Sequence, residues 1–248
     1  MAIYDYKAGK KRVESILVNE LKVIEQNKVP SDDVFTFNNG YYSWVTSIFV
    51  DIRDSTTLFA NNDKENTSKI IKSFTSEVIE ILRDDDNLRE IGIRGDCVYA
   101  VYTSPNAADV FELANKAFYI NTYMKMLNKL LLNYSLHAIS VGIGMSTAQE
   151  LVVKAGRKDV GINSKVWIGD AVTKASKLSS LGNKDGIQPL VFSGFSYFFI
   201  IDMLAAEQVG KDPKSWFTQH YDNNFGLYYD SNIIFIEFDK WVSEGMQD

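Results

Sequence analysis

The chain has 248 residues, 46% hydrophobic and 23% charged, with a formal charge of −6. That length and balance fit a globular protein with a core large enough to need no staples, and an acidic chain without a basic run argues against nucleic-acid binding. A single cysteine, Cys97, excludes an intramolecular disulfide framework and fits a reducing cytoplasm, and the N-terminus lacks the apolar core of a signal peptide.

Residues 11–27, KRVESILVNELKVIEQN, carry Val13, Ile16, Leu17, Leu21 and Ile24 at helical spacing and predict an amphipathic helix ahead of the main domain. FTFNNGYY predicts a short extended piece with a turn at Asn38-Asn39-Gly40. SWVTSIFVDI is a strand, and NTSKIIKSFTSEVIEILRD is a helix with Thr67 as a candidate cap. REIGIRGDCVYAVYT reads as two strands with a tight turn at Arg94-Gly95-Asp96. A long helix follows over 104–133, capped by Ser104 with Pro105 in its first turn. SLHAISVGIGMS and ELVVKAG read as two strands, the first with His137 packed in the core. GDAVTKASKLSSLG is a helix, and GLYYDSNIIFIEF closes as a hairpin around Asp230-Ser231-Asn232. The apolar stretch from Pro189 to Ala206 is interrupted by Ser193, Gly194, Ser196 and Asp202. It falls short of the roughly 18 to 20 apolar residues a span needs, and predicts a buried strand followed by a core helix.

The order is β-α-β-β-α-β with additions, the split βαβ arrangement of an α+β ferredoxin-like sheet. The chain divides into an N-terminal helical arm, residues 1–40, and a domain over 41–248. In such a sheet the first and third strands are neighbours. Asp51 closes the first and Asp96 lies in the turn that opens the third, so the two carboxylates meet at one edge. Two bare carboxylates that close repel, and a divalent cation with hard oxygen ligands removes the conflict. Taken singly, Asp51 is equally a helix cap or the partner of an arginine, and Asp96 a turn residue. Asp54, followed by Ser55 and Thr56, is a helix-start signal, and the turn from Ile52 to Thr57 offers backbone N–H groups to phosphates. On the helix from Gly169 to Leu181, Asp170, Thr173 and Lys177 share a face; spacing alone makes that a solvated side. Arg94 shares strand parity with Asp96, and an ion pair with Asp51 or Asp54 is one use for it. Tyr41, Tyr42 and Trp44, ahead of the first strand, fit core or edge packing.

Together these elements resemble the class III nucleotidyl cyclase catalytic domain over residues 43–240. The matching motifs are FVDIRDST, IRGDCVYAVY, SVGIGMSTAQELVVKAG and VWIGDAVTKASKL, in the family's order. The resemblance implies that Asp51 and Asp96, helped by the carbonyl of Ile52, bind two divalent ions, Mn²⁺ or Mg²⁺. Thr173 stands where the family has an Asn that orients the ribose, and Lys177 where it has an Arg that stabilises charge on the phosphate. Lys keeps that charge but loses the planar fork. The ATP-reading Lys is replaced by Gly92, and the acid that partners it by Val166. The arm, FTFNNGYYSWVTSIFVDIRDST and WIGDAVTKASKL are most similar to the bacterial pyrimidine cyclases of Pycsar anti-phage systems. That likeness implies conversion of UTP, or alternatively CTP, to the 3′,5′-cyclic nucleotide and pyrophosphate. It further implies a homodimer with sites at the subunit interface, and composition adds a cytoplasmic chain with no membrane and no nucleic acid. With a nucleotide as substrate, Tyr42, Thr56 and Arg94 become its candidate contacts: Arg94 by its parity with Asp96, and one of Tyr41, Tyr42 and Trp44 as a stack for the base or a plug in the space a purine needs. A purine cyclase and a catalytically inactive nucleotide-binding module are the rivals.

Overall fold

The computed structural model describes residues 4–61, 63–157 and 160–247. Helix α1 (Tyr6–Val18) starts at Asp5, whose carboxylate accepts from Ala8 N–H at 3.0 Å. It ends earlier than its periodicity predicts. Asn19 is extended, and Lys22–Glu25 form a short strand, β1, parallel to the start of β2 (Asn39–Ile52). The β-branched pair Val23-Ile24 finds more in the sheet edge than in a lengthened helix with no surface to pack on. Residues 1–40 thus contribute a strand to the main sheet, while Val13, Ile16, Leu17 and Val18 of α1 stay exposed.

After α2 (Ser55–Asn61), helix α3 (Lys64–Arg83) is capped by Asp63, which accepts from Asn66 N–H at 2.8 Å, and not by Thr67. Strands β3 (Leu88–Arg94) and β4 (Cys97–Thr103) form the expected hairpin. Helix α4 (Ala107–Asn133) carries a capping box of Asn106 and Asp109. Ser104 is no cap: its hydroxyl is buried and bonds Thr46 at 2.7 Å.

The two strands expected over 135–156 are one, β5 (Val141–Arg157). The hydroxyls of Ser146-Thr147 that mimic a turn are buried, Thr147 bonding Thr46 and Ser196 at 2.8 and 3.0 Å. Residues before Val141 form a loop pinned by Asn128, whose side chain bonds Ile139 N–H and C=O at 2.8 Å each. His137 lies there, exposed rather than packed. Strand β6 (Ile162–Gly169) returns along β5 and leads into α5 (Asp170–Ser179). The apolar stretch becomes β7 (Leu190–Ser193) and α6 (Gly194–Glu207), as expected. Among the described residues no helix is long and apolar enough to cross a membrane.

The final hairpin is β8 (Phe217–Asp222) with β9 (Gly226–Ser231), and Ile236–Ser243 form a helix, α7. The expected second strand fails because α4 captures it: Asn121 donates to Asn232 Oδ1 and Ile233 C=O at 3.0 and 2.9 Å, and Thr122 Oγ1 accepts from Phe235 N–H at 3.0 Å.

The sheet order is β3-β4-β2-β5-β7-β9-β8, with β1 on β2 and β6 on β5. Its first four strands are the split βαβ core. One face, with Ile48, Val50, Val98, Tyr102, Ile143 and Met145, packs the main core against α3, α4 and α6. The other carries α5, seated directly on Gly142 and Gly144. A Cβ on Gly144 would lie 2.1 Å from Ala175 C=O and 2.2 Å from Ser179 N. Gly144→Ala is therefore expected to cost about 3 kcal/mol through overpacking, read as a Tm fall of roughly 6–12 °C; an unchanged Tm would show that α5 is free to lift.

Candidate functional site

Antiparallel pairing of β2 and β4 puts Asp51 directly opposite Cys97, so Asp96 in the adjoining turn sits at the same edge as Asp51. Both are half-buried. Burial raises the Asp51 carboxyl above its ordinary value, Arg53 opposes this, and Asp96 adds to it by like-charge repulsion. Asp51 Oδ2 is in contact with the Arg53 guanidinium, which also donates to Ser180 C=O at 2.8 Å. The cation beside Asp51 is thus Arg53, which gives the arginine partner left open by the sequence its residue number. It stands in the turn directly after β2, two residues from Asp51, and that nearness in FVDIRDST is the signal that marked it. Cys97 is no nucleophile: burial, then Asp51, pushes its thiol up to about 12.

The donor set fits a hard divalent ion. Two carboxylates converge in a partly desolvated edge, their mutual repulsion only partly offset by one guanidinium that engages one oxygen of Asp51. Ile52, buried, is the last residue of β2. Arg94 pairs with Cys97 in register and is exposed beside this edge. Asp54 adopts φ of 52°, and its carbonyl accepts from Thr57 and Leu58 N–H at 2.9 and 3.0 Å, which starts α2. Thr56 lies exposed in that first turn.

Helix α5 crosses β5 with its C-terminal end over Gly142, the partner of Asp51, and its start at Glu150. Ala171, Ala175 and Leu178 are buried; Thr173 and Lys177 are exposed on one face. Tyr42 lies elsewhere. It lines a cavity of about 590 Å³ with Trp44, Gln149, Lys174 and Phe195, nine residues from Asp51 along β2, or about 30 Å at strand rise. Within one chain the edge that carries Asp51 and Asp96 and the cavity of Tyr42 do not meet.

Gly92, at the position of the ATP-reading Lys, is covered by Tyr99. A Cβ there would be 2.8 Å from the phenol oxygen. Tyr99 stacks on Phe49 at 5.2 Å and donates to Glu90 at 2.8 Å; Trp167 Nε1 donates to the other Glu90 oxygen at 2.8 Å. A hydrogen-bonded network thus links β3 to β6, the strands that carry Gly92 and Val166.

The family model for the adenylate and guanylate cyclase catalytic domain matches residues 38–189. The chain belongs to that family. It is a nucleotidyl cyclase of class III fold. It is 51% identical to a uridylate cyclase of Treponema porcinum, covering 99% of this chain and 83% of that one. It is 29% identical to a uridylate cyclase of Gulbenkiania mobilis over 97% and 96%. Among solved structures, the adenylyl cyclase CyaB from P. aeruginosa superposes with a TM-score of 0.61 at 18% identity, over 77% of this chain and 95% of that one. The guanylyl cyclase Cya2 gives 0.62 at 14%, over 79% and 95%. At these identities the two structures establish the fold alone.

Proposed function

We propose that this cyclase is a uridylate cyclase, forming 3′,5′-cyclic UMP and pyrophosphate from UTP. The observation that carries the reading is the 51% identity, over 99% of the chain, to the Treponema uridylate cyclase. The covered Gly92 supports it, since the usual adenine-reading side chain has neither an atom nor room there.

The ribose 3′ oxygen attacks the α-phosphorus, one P–O bond forms, and the bond to pyrophosphate breaks. Asp51, Asp96 and the Ile52 carbonyl would hold two Mn²⁺ or Mg²⁺ ions, which when bound acidify the 3′ hydroxyl and neutralise the phosphates. Arg53 then keeps Asp51 oriented through its second anchor on Ser180. Thr173 aligns the ribose, Lys177 balances charge on the reacting phosphate, Arg94 and Thr56 meet the phosphates, and Tyr42 faces the base. Positioning and fixed charge supply most of the rate.

The working form is a homodimer. One chain holds the acids and α5 exposes Thr173 and Lys177 to solvent, while Tyr42 is about 30 Å from Asp51 along the strand; a two-fold partner closes these gaps and makes two equivalent sites. The arm, residues 1–40, supplies a further surface to that partner through the exposed face of α1. The product acts as a second messenger in anti-phage defence, in line with the resemblance to Pycsar cyclases.

The test is one assay: purified protein and Mn²⁺ with ATP, GTP, CTP or UTP separately, the product identified by mass spectrometry. Cyclic UMP from UTP is the expected product. Cyclic CMP alone would move the substrate to CTP, cyclic AMP or GMP would overturn the reading of Gly92, and no product would leave an inactive module.

A further inference from the structure

Helix α5 begins at Gly169, which has no side chain with which to cap it. The cap comes instead from across the sheet. Glu150 Oε1 accepts from Ala171 N–H at 2.5 Å and Val172 N–H at 3.3 Å. Glu150 is 0% exposed. Among the described residues its other oxygen, Oε2, has no hydrogen-bond partner, and neither does Ser43 Oγ, itself buried. Ser43 is Glu150's direct cross-strand neighbour, so the two unpartnered groups belong to side chains about 5 Å apart at Cβ. Gly169 is part of the same device: a Cβ on it would fall 2.9 Å from the Glu150 carboxyl carbon.

We propose that Glu150 is the positioning residue for Thr173 and Lys177, a buried carboxylic acid that fixes the first turn of α5 through Oε1 and carries its proton on Oε2 toward Ser43. This rests on the reading that those two residues act in the reaction. Thr173 directly follows the two clamped amides, so any lift of that turn moves it first. The neutral state follows from the surroundings. Burial pushes the carboxyl up to about 7, the two N–H groups pull it down, and Asp170 pushes it up again. Asp170 is itself paired with Lys174 at 2.9 Å. From β2 the facing group is the uncharged Ser43. From β6 they are Gly169 and Trp167, the latter engaged with Glu90.

The value lies above the ordinary 4.5, so the favourable contribution is complete below about pH 4.5 and is lost as pH rises through about 7. Glutamine keeps the Oε1 acceptor, places an N–H donor at Oε2 and cannot ionise. Glu150→Ala is expected to lower kcat with UTP by about 10- to 100-fold, the scale of a misplaced group, with a smaller change in KM. Glu150→Gln is expected to stay within about threefold of wild type. Its Tm should match wild type at pH 4 and exceed it by roughly 6–12 °C at pH 8.5. A glutamine variant as impaired as the alanine one would overturn the proposal, because the charge itself would then be needed. A wild-type kcat in Glu150→Ala would overturn it too. If Glu150→Ala does not fold, amide exchange decides. Corrected for intrinsic rates, Ala171 and Val172 should exchange faster in wild type at pH 8.5 than at pH 6, and at one rate in Glu150→Gln; identical behaviour in the two proteins would overturn the clamp. Exchange reports on α5 without turnover, so absence of cyclic UMP in wild type would strike the functional reading and leave this measurement standing.

Discussion

Asp51→Ala and Asp96→Ala should each abolish cyclisation, by about 10³-fold or more, while the protein stays folded. The loss follows from the role proposed for the pair: without both carboxylates the edge lacks the charge to hold divalent ions at the reacting phosphates, and such ions contribute several kcal/mol to charge stabilisation. Survival of the fold follows from the electrostatics. Burial and the neighbouring Asp96 make the Asp51 carboxylate a costly group in the folded chain, so its removal relieves repulsion. Arg53 keeps its 2.8 Å bond to Ser180 C=O, so the guanidinium is not stranded. The measurements are cyclic product formed, Tm, and Mn²⁺ binding by calorimetry, the last independent of turnover. Retained activity in either variant would sink the metal assignment. A collapse of Tm would show instead that the Asp51–Arg53 pair holds this edge together.

That pair marks the boundary of what the sequence discloses. The alternation of strands and amphipathic helices was legible because each apolar stripe keeps one period, and the strand order then predicts that Asp51 and Asp96 share an edge; register places them there, Asp51 opposite Cys97. Features that depend on who faces whom were not legible. Leu21 and Ile24 continue the helical stripe of residues 11–27, yet Ile24 fits a strand as well, and only the free edge of β2 decides between them. Ser146 and Thr147 resemble a turn until Thr46 and Ser196 are seen to satisfy Thr147. The segment after Asn232 has a strand's composition, but Asn121 and Thr122 of α4 bind its backbone first. The clamp made by Glu150 was invisible because its partners are the backbone of a helix about twenty residues on. Tyr42 fits the sequence pattern of a substrate contact, yet its distance from Asp51 along β2 makes any such contact a matter of two chains.

Lys177→Ala is expected to lower kcat by about 10²-fold, typical of removing one group that stabilises developing charge. Its side chain is exposed at the end of α5 nearest Asp51, so truncation should change stability by no more than about 0.5 kcal/mol. That separation of rate from Tm is the diagnostic. Lys174 provides the control on the same helix. It is half-buried and tied to Asp170 at 2.9 Å, and that i, i+4 pair carries roughly 0.3–0.5 kcal/mol. Lys174→Ala should therefore leave kcat near wild type, its place in the Tyr42 cavity bearing on KM for the base and not on charge at the phosphate. If the loss appears at Lys174 instead, the face of α5 that meets substrate is the one toward the Tyr42 cavity. Lys177→Arg sharpens the point. An arginine restores the charge and adds the planar fork that lysine lacks, so a variant with wild-type rate or better means that charge at this position is what the reaction uses. A rate as low as alanine's means that the ammonium, a compact point charge on a flexible stem, is held in a pocket too small for the fork. A near-normal rate in Lys177→Ala would remove Lys177 from the site altogether, and with it the reason for the exposed face of α5 to meet a nucleotide.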